Sequence, residues 1–348
     1  MCNFCVQRAG VEVDLRRREF SVGRLKIYVT SNEIPAEAIK ILSKLGDVKV
    51  NPKSGPPKRA DLFAEVHDAD AILCLLTEKI DGELLNHAGR LKVIANMAVG
   101  YDNIDLAEAT RRGIAVTNTP GVLTETTADT AMALILSIAR RIVEADRYVR
   151  DGKWTVSWSP MTMVGTDVHG KTLAIYGLGR IGEALAKRAR GFDMKIIYYS
   201  ASRKPELEAK YDMEYVSLDE ALGSCDFLSI HVPLTPETRH SIGARELSLM
   251  KETTYLINTS RGQVVDQTVL TEALGQHRIA GAGLDVFEEE PLPLRSPLLG
   301  MNNVVLLPHI GSGSKETRTL MAVKAAENIN SAMKGMRPPN LVNRDVLL

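Results

Sequence analysis

Three segments of this chain carry side chains that could work together on a small organic acid. Asn258-Thr259-Ser260-Arg261-Gly262 closes an apolar run and ends on a guanidinium. Gly281-Ala282-Gly283-Leu284-Asp285-Val286-Phe287 leads into the acidic run Glu288-Glu289-Glu290 and then Pro291. Leu306-Leu307-Pro308-His309-Ile310-Gly311 presents an imidazole. Arg261 and His309 fall at or just past the C-terminal ends of expected strands, where open α/β sheets bind their ligands. An arginine, a carboxylate and a histidine converging on one crevice is what reduction of a 2-oxo acid requires.

Such a reduction needs a hydride source, and the chain carries a loop suited to one. Thr172-Leu173-Ala174-Ile175-Tyr176 reads as a strand, followed by Gly177-Leu178-Gly179-Arg180-Ile181-Gly182 and the helical stretch Arg180–Arg190. A G-x-G-x-x-G between a strand and a helix is the fingerprint of a dinucleotide site. Gly177 permits the tight turn, Gly179 lets backbone approach a pyrophosphate, and Gly182 allows the helix to sit close to the strand. The helix N-terminus adds free N–H groups and the positive end of a dipole. The next strand runs Lys195-Ile196-Ile197-Tyr198-Tyr199 and ends at Ser200. An NAD site usually sets a carboxylate there, to accept from the ribose hydroxyls. Here Ser200, Ala201, Ser202, Arg203 and Lys204 supply hydroxyls and cations instead. They favour the 2′-phosphate of NADP, with NAD as the alternative.

The elements that must position these groups alternate along the chain. Leu25–Thr30, Ala71–Leu76, Leu91–Met97 and Ala115–Asn118 read as strands, with helical patterns between them. In the first of these helices Pro35 opens the turn and Gly46 ends the pattern. Thr124–Asp151 reads as one long apolar helix, suited to joining domains or meeting a partner subunit. A second series of strands follows at Thr172–Gly177, Met194–Ser200, Asp226–Val232, Thr254–Ser260, Gly281–Val286 and Asn303–Pro308, and a final helix spans Ser314–Lys334. This β-α-β order predicts parallel sheets covered by helices.

At 348 residues and about 150 per domain, two domains are expected. Lys plus Arg and Asp plus Glu each total 43, so no basic excess points to a nucleic-acid partner. The longest apolar run, Ala131–Ala139 with Ser137 inside it, is far short of the roughly 20 residues of a membrane-spanning helix, so no membrane association is expected. Cys2 and Cys5 form a C-x-x-C without further ligands at zinc spacing, so no metal is expected and the pair reads as part of an inert extension. Cys74 reads as core, and the first 23 residues lack a secretory apolar stretch, which leaves the cytoplasm as the expected compartment.

Taken together the motifs resemble the D-isomer-specific 2-hydroxyacid dehydrogenases, and within them the glyoxylate and hydroxypyruvate reductases. The resemblance runs from about Leu25 to Val346. It also includes Ala98-Val99-Gly100-Tyr101-Asp102-Asn103-Ile104-Asp105, Val116-Thr117-Asn118-Thr119-Pro120-Gly121 and Thr127-Ala128-Asp129. It implies that Arg261 binds the substrate carboxylate and polarises the carbonyl, a task its planar fork suits. It implies His309 as general acid and base, with Glu290, chosen by its spacing before Pro291, orienting the ring and favouring its protonated form. Backbone N–H groups of Val99 and Gly100 would complete the carboxylate site. Leu178–Ile181 would hold pyrophosphate, Ser200–Ser202 with Arg203 would line the adenosine 2′ position, and Asp285 would accept from the nicotinamide carboxamide. Thr259, Ser260 and Gly311 fall on the cofactor side of the same site. His231, after another strand, reads as structural or cofactor-adjacent. Trp154 and Trp158 belong to an arm that in relatives crosses to the partner subunit; Trp158 is a candidate substrate contact there, although an interface anchor is the better reading.

The expected fold is therefore α/β, with two doubly wound parallel-sheet domains of Rossmann and flavodoxin-like type and a cleft between them. Residues 1–24 form an N-terminal extension, 25–119 with 314–348 the substrate domain, and 120–313 the dinucleotide-binding domain with a dimerisation arm, making a homodimer. The expected activity is NAD(P)H-dependent reduction of a small 2-oxo acid, glyoxylate or hydroxypyruvate, to the D-2-hydroxy acid. Phosphoglycerate dehydrogenase is an alternative within the family, although its long forms carry a regulatory domain absent here. Formate oxidation is disfavoured because Glu290 stands where that branch uses an amide, and phosphite oxidation because Ala98 replaces a lysine. A dinucleotide-sensing corepressor on the same fold is the alternative from another class.

Overall fold

The computed structural model describes residues 24–346. Cys2, Cys5 and the expected extension up to residue 23 lie outside the described residues. The first sheet is built from β1 (Leu25–Val29), β2 (Gly46–Val50), β3 (Ala71–Cys74), β4 (Val93–Asn96) and β5 (Ala115–Thr117). All its strands are parallel, in the order β2-β1-β3-β4-β5. Helices α1 (Ala36–Leu42), α2 (Arg59–Asp68), α3 (Gly82–His87) and α4 (Leu106–Arg111) connect them. β3 and β4 are buried along their whole length, as parallel strands covered on both faces must be. Residues of alternate parity serve opposite faces: Ile27 and Val29 pack with Ala38 and Leu42 of α1, while Tyr28 packs with Leu62 and Val66 of α2.

The chain then forms α5 (Thr124–Ala139) and α6 (Ile142–Arg150). A second parallel sheet follows, with β6 (Thr172–Tyr176), β7 (Lys195–Tyr199), β8 (Met213–Tyr215), β9 (Phe227–Ile230), β10 (Tyr255–Asn258), β11 (Gly281–Leu284) and β12 (Val304–Leu306). Its order is β12-β11-β10-β9-β6-β7-β8, so the winding direction reverses between β9 and β6. Helices α7 (Arg180–Arg190), α8 (Pro205–Tyr211), α9 (Leu218–Ser224), α10 (Ala244–Leu249) and α11 (Gln267–Gly275) cover it. Leu173 and Ile175 pack with α5 and α7, whereas Ala174 and Tyr176 pack on the other face with Leu222, Leu247 and Leu274. The last helix, α12 (Lys315–Met333), is capped by Ser314, which accepts from the Thr317 amide at 3.1 Å. It returns to the first sheet, where Met321, Ala325 and Ile329 join that core. The fold is thus two doubly wound parallel α/β units.

Two strands are absent from the sequence reading, and both lie at sheet edges. β2 carries the exposed charges of Asp47 and Lys49, and β8 is only Met213–Tyr215. Edge strands are short and charged because one side meets water, so they lack an apolar run. The Gly46 expected to end the first helix is therefore the first residue of β2, and that helix stops at Leu42.

The expected single helix Thr124–Asp151 is instead two. Arg141 takes a left-handed conformation with φ 54° and separates them. Neither glycine nor proline marks the break; the cause is tertiary. In a continuous helix the Val143 amide would donate to the Ala139 carbonyl. That carbonyl instead accepts from Thr166 at 2.8 Å, where the chain returns. A Cβ on Gly165 would collide with the same oxygen, so only glycine lets the chain pass. Arg141 is held by Glu144 at 2.7 and 2.8 Å and also donates to the Val164 carbonyl at 3.3 Å. α5 buries its apolar side against β10, β11 and β12, whereas α6 buries no residue. Among the described residues no helix is long and apolar enough to cross a membrane.

Gly283 lets α5 lie close on β11, since a Cβ there would stand 3.0 Å from Cβ of the buried Leu134. Leu134→Ala is expected to lower unfolding free energy by about 2–5 kcal/mol, the usual cost of truncating a buried leucine. Urea denaturation of the two proteins checks this.

Candidate active site

The site begins where the second sheet reverses. After β6 the chain turns at Gly177 with φ 99°. A Cβ there would stand 2.8 Å from the Val232 amide nitrogen and 2.9 Å from the His231 carbonyl carbon. Only glycine meets both conditions, and the loops after β6 and β9 therefore touch at the switch point. A Cβ on Gly182 would lie 2.6 Å from the Gly177 carbonyl oxygen, so α7 rests directly on the turn. Above Gly179 a Cβ would meet nothing within 4 Å. Gly179 caps this 11-residue helix without a side chain, and the amides of Arg180, Ile181 and Gly182 have no partner among the described residues. Leu178 is buried, and Ile181 packs against the cores of both sheets. The hydroxyl of Thr259, past β10, is buried with no partner among the described residues, a polar group that a bound molecule would satisfy. A bare helix N-terminus at a switch-point crevice, beside an orphaned hydroxyl, fits a dinucleotide.

The turn after β7 differs from its expected form in one respect. Ser200, Ala201 and Ser202 follow the strand, with Ala201 and Ser202 exposed. Arg203 does not stand alone: Nε donates to Glu208 Oε1 at 2.9 Å and Nη2 to Oε2 at 2.8 Å. Glu208 also accepts from the Tyr198 hydroxyl at 2.6 Å, and these two donors hold its carboxyl down at about 2. The sequence reading counted no carboxylate at this turn because Glu208 arrives from α8.

His309 has φ 55°, and its Nδ1 lies 2.7 Å from Glu290 Oε2. Burial pushes the Glu290 carboxyl up, but the His309 contact, the Phe287 amide and the Arg261 charge outweigh it and hold it below the ordinary glutamate range. An ionised carboxylate only accepts, so the proton of this bond sits on Nδ1 and leaves Nε2 to face a reactant. The other oxygen, Oε1, accepts from Phe287 at 2.9 Å, which fixes the carboxylate. Asp285 holds the backbone just past the ring: its two oxygens accept from Ile310 and Gly311, each at 2.7 Å. Burial raises the Asp285 pKa, against these two donors and the His309 charge. Arg318 of α12 donates Nε to the Ser312 carbonyl at 3.2 Å; burial lowers its pKa, opposed by the charge of Asp285.

Arg261 reaches from the second sheet to the first. Its Nε donates to Asp102 at 3.0 Å, and Nη1 to the Ser260 carbonyl at 2.8 Å. A Cβ on Gly100 would overlap Nη2, so glycine lets the guanidinium lie against the Val99–Gly100 backbone. On the other side, a Cβ on Gly262 would collide with the Phe287 carbonyl, which presses the Arg261 loop against the Glu290 loop. Ser260 is tied to Asn258 Oδ1 through its amide and its hydroxyl, each at 3.0 Å. The structure thus gathers Arg261, Glu290, His309, Asp285, Gly311, Val99 and Gly100 into one contiguous site. His231 stands at the end of β9, with Nε2 2.8 Å from Ser229 Oγ; burial lowers its pKa to about 4, so it is neutral near pH 7. Trp154 and Trp158 are exposed on the segment after α6.

Known proteins match this arrangement. Residues 132–311 match the family model described as the D-isomer specific 2-hydroxyacid dehydrogenase, NAD binding domain. A protein of Korarchaeum cryptofilum named glyoxylate reductase is 52% identical over 322 residues, covering 92% of this chain and 97% of its own. The chain belongs to the D-isomer-specific 2-hydroxyacid dehydrogenase family. Among solved structures, a Thermus thermophilus protein aligns with this family member at a TM-score of 0.85 and 41% identity, covering 91% of this chain and all 100% of that one. An NADPH-dependent glyoxylate/hydroxypyruvate reductase of Sinorhizobium meliloti, solved with NADP and malonate, aligns at 0.82 and 33% identity, covering 93% and 98%.

A nicotinamide dinucleotide is therefore the cofactor of this dehydrogenase. Three groups at the site escaped the sequence reading as functional candidates: Asp102, Glu208 and Arg318. Asp102 lies inside a quoted motif, two residues after Gly100, and that adjacency was the available signal. Gly182→Val is expected to push α7 off its turn and weaken dinucleotide binding by more than about tenfold, since phosphate contacts at a helix N-terminus depend on placement. Fluorescence titration with NADPH and NADH checks it.

Proposed function

We propose that this dehydrogenase reduces a small 2-oxo acid, glyoxylate or hydroxypyruvate, to the D-2-hydroxy acid with NADPH preferred over NADH. The observation that carries the reading is the His309–Glu290 hydrogen bond at 2.7 Å, beside an arginine that lies against the Gly100 backbone. The name of the Korarchaeum relative and that of the Sinorhizobium reductase support the substrate class.

Arg261 Nη2, with the amides of Val99 and Gly100, binds the substrate carboxylate. Bound nicotinamide supplies the hydride for the carbonyl carbon. His309 Nε2 gives its proton to the carbonyl oxygen, and in the reverse direction takes it from the hydroxyl. Glu290 keeps the ring oriented and stabilises its positive charge before the proton leaves. Leu178–Gly182 cradle the pyrophosphate, and Thr259, Ser260 and Gly311 line the cofactor side. Asp285 uses the lone pairs left by Ile310 and Gly311 to accept from the carboxamide.

Ser200, Ser202, Arg203 and Lys204 support NADP, as does the cofactor named for the Sinorhizobium relative. A 2′-phosphate would compete with Glu208 for Arg203. The substrate domain takes residues 25–119 and 314–348, and the cofactor domain takes 120–313. The apolar side chains that α6 and its following arm leave open, among them Ile142, Val149, Trp154, Trp158 and Met161, support a homodimer built there.

Purified protein with NADPH and glyoxylate is expected to lose nicotinamide absorbance at a catalytic rate. His309→Ala should reduce kcat by about 10²–10⁴-fold while NADPH titrates with unchanged affinity. Full turnover by the variant would remove His309 as the acid. Ser200→Asp is expected to weaken NADPH far more than NADH, by like-charge repulsion of the 2′-phosphate. Equal weakening of both nucleotides would show that this turn does not meet the 2′ position.

A further inference from the structure

The loop Ala98–Tyr101 has its carbonyls tied down one after another. Ala98 O accepts from the Thr119 amide at 2.8 Å. Val99 O accepts from Asn118 Nδ2 at 2.8 Å, and Gly100 O from Asn96 Nδ2 at 2.9 Å. In a planar trans peptide the N–H points opposite to the C=O of the preceding residue. Fixing these three carbonyls therefore fixes the directions of the Val99, Gly100 and Tyr101 amides. None of those three amides has a partner among the described residues.

The asparagines are themselves held. Asn96 is fully buried; Nδ2 also donates to Asn103 Oδ1 at 3.2 Å, and Oδ1 lies 3.6 Å from Cys74 Sγ. Asn103 in turn donates to the Leu75 and Glu78 carbonyls at 3.1 and 3.0 Å. The buried Glu78 carboxylate closes this chain by accepting from the Leu75 amide at 2.6 Å and from Thr30 Oγ1 at 2.7 Å. Those groups sit at the ends of β1 and β3, where the first sheet reverses its winding. Asn118 is anchored from another direction, its carbonyl accepting from the buried Asn328 of α12 at 3.1 Å.

We propose that Asn118 and Asn96 are positioning residues, which aim the backbone amides of Gly100 and Tyr101, respectively, at the carboxylate of the substrate, beside the Val99 amide that Thr119 sets. This rests on the function proposed above and names what gives its carboxylate site a shape. Neither side chain has to touch the substrate. Each acts through a carbonyl, so its removal frees a peptide to rotate and takes one charge-assisted hydrogen bond from the anion.

The test uses Asn118→Leu, close to asparagine in shape but with no donor, and Asn118→Ser, which is too short to reach Val99 O. Malonate binding to the NADP-loaded protein is measured by calorimetry alongside glyoxylate kinetics. Both variants are expected to weaken malonate and raise KM for glyoxylate by about tenfold, the loss of one hydrogen bond to a charged group. NADPH affinity should stay within about twofold, because no nucleotide-binding group is touched. A general loss of structure would move NADPH affinity as well, and if one variant fails to fold the other is read. Unchanged malonate affinity and KM would overturn the proposal, as would a parallel loss of NADPH binding in both variants. If the wild-type protein turns over no glyoxylate, the functional reading fails, and the malonate comparison still decides the role of Asn118. If the wild-type protein reduces glyoxylate but binds no malonate, the glyoxylate KM of the two variants decides the proposal, and an unchanged KM overturns it.

Discussion

The site depends on one side chain that spans two sheets. Arg261 leaves the end of β10, yet its Nε charge is met by Asp102 and its Nη2 lies against Gly100, both from the first sheet. A guanidinium carries five donors in a fixed plane, so fixing Nε on Asp102 and Nη1 on Ser260 settles where the remaining edge points. Gly100 removes a Cβ that would overlap the Nη2 edge, and Gly262 removes one that would drive the Arg261 loop off Phe287. The arginine is therefore one of the contacts through which one sheet locates the other, and Ile181 is another.

Around that contact, backbone does much of the work usually credited to side chains. Among the described residues the amides at the start of α7 have no partner, since Gly179 offers no capping oxygen. The Val99 and Gly100 amides have no partner among the described residues, and their directions are set through the Ala98 and Val99 carbonyls, which accept from the Thr119 amide and from Asn118. In both places N–H groups with a fixed direction are left over, one set directed by a helix and the other by the Thr119 amide and two asparagine side chains.

Much of this was legible in the sequence, and what was not has physical reasons. The glycine loop could be read because its chemistry is local, each glycine answering to residues within a few positions or to the next strand. The buried strands could be read because burial on both faces demands continuous apolar runs, while β2 and β8 escaped because edges do not. The break at Arg141 was invisible because it is made by Thr166, 25 residues further on. Arg261, Glu290 and His309 were picked out by type and place, but their mutual contact was not readable from spacing. It depends on Gly262 pressing against Phe287 and on Asp285 holding the amides past His309. Glu208 was missed for the same reason: its partner Arg203 is near in sequence, but their meeting depends on how α8 leaves the turn.

Asp285 and Glu290 both follow β11, and between them they hold the backbone just past His309 and the His309 ring. The imidazole therefore has no independent swing: it is bolted at two points to a single strand end. Any relative movement of the two sheets would carry His309 as cargo of the second, while the amides of Gly100 travel with the first. Such a movement would take His309 and Arg261 away from those amides together and would break the Arg261–Asp102 contact, so the carboxylate site proposed above is complete only while the two sheets are apposed.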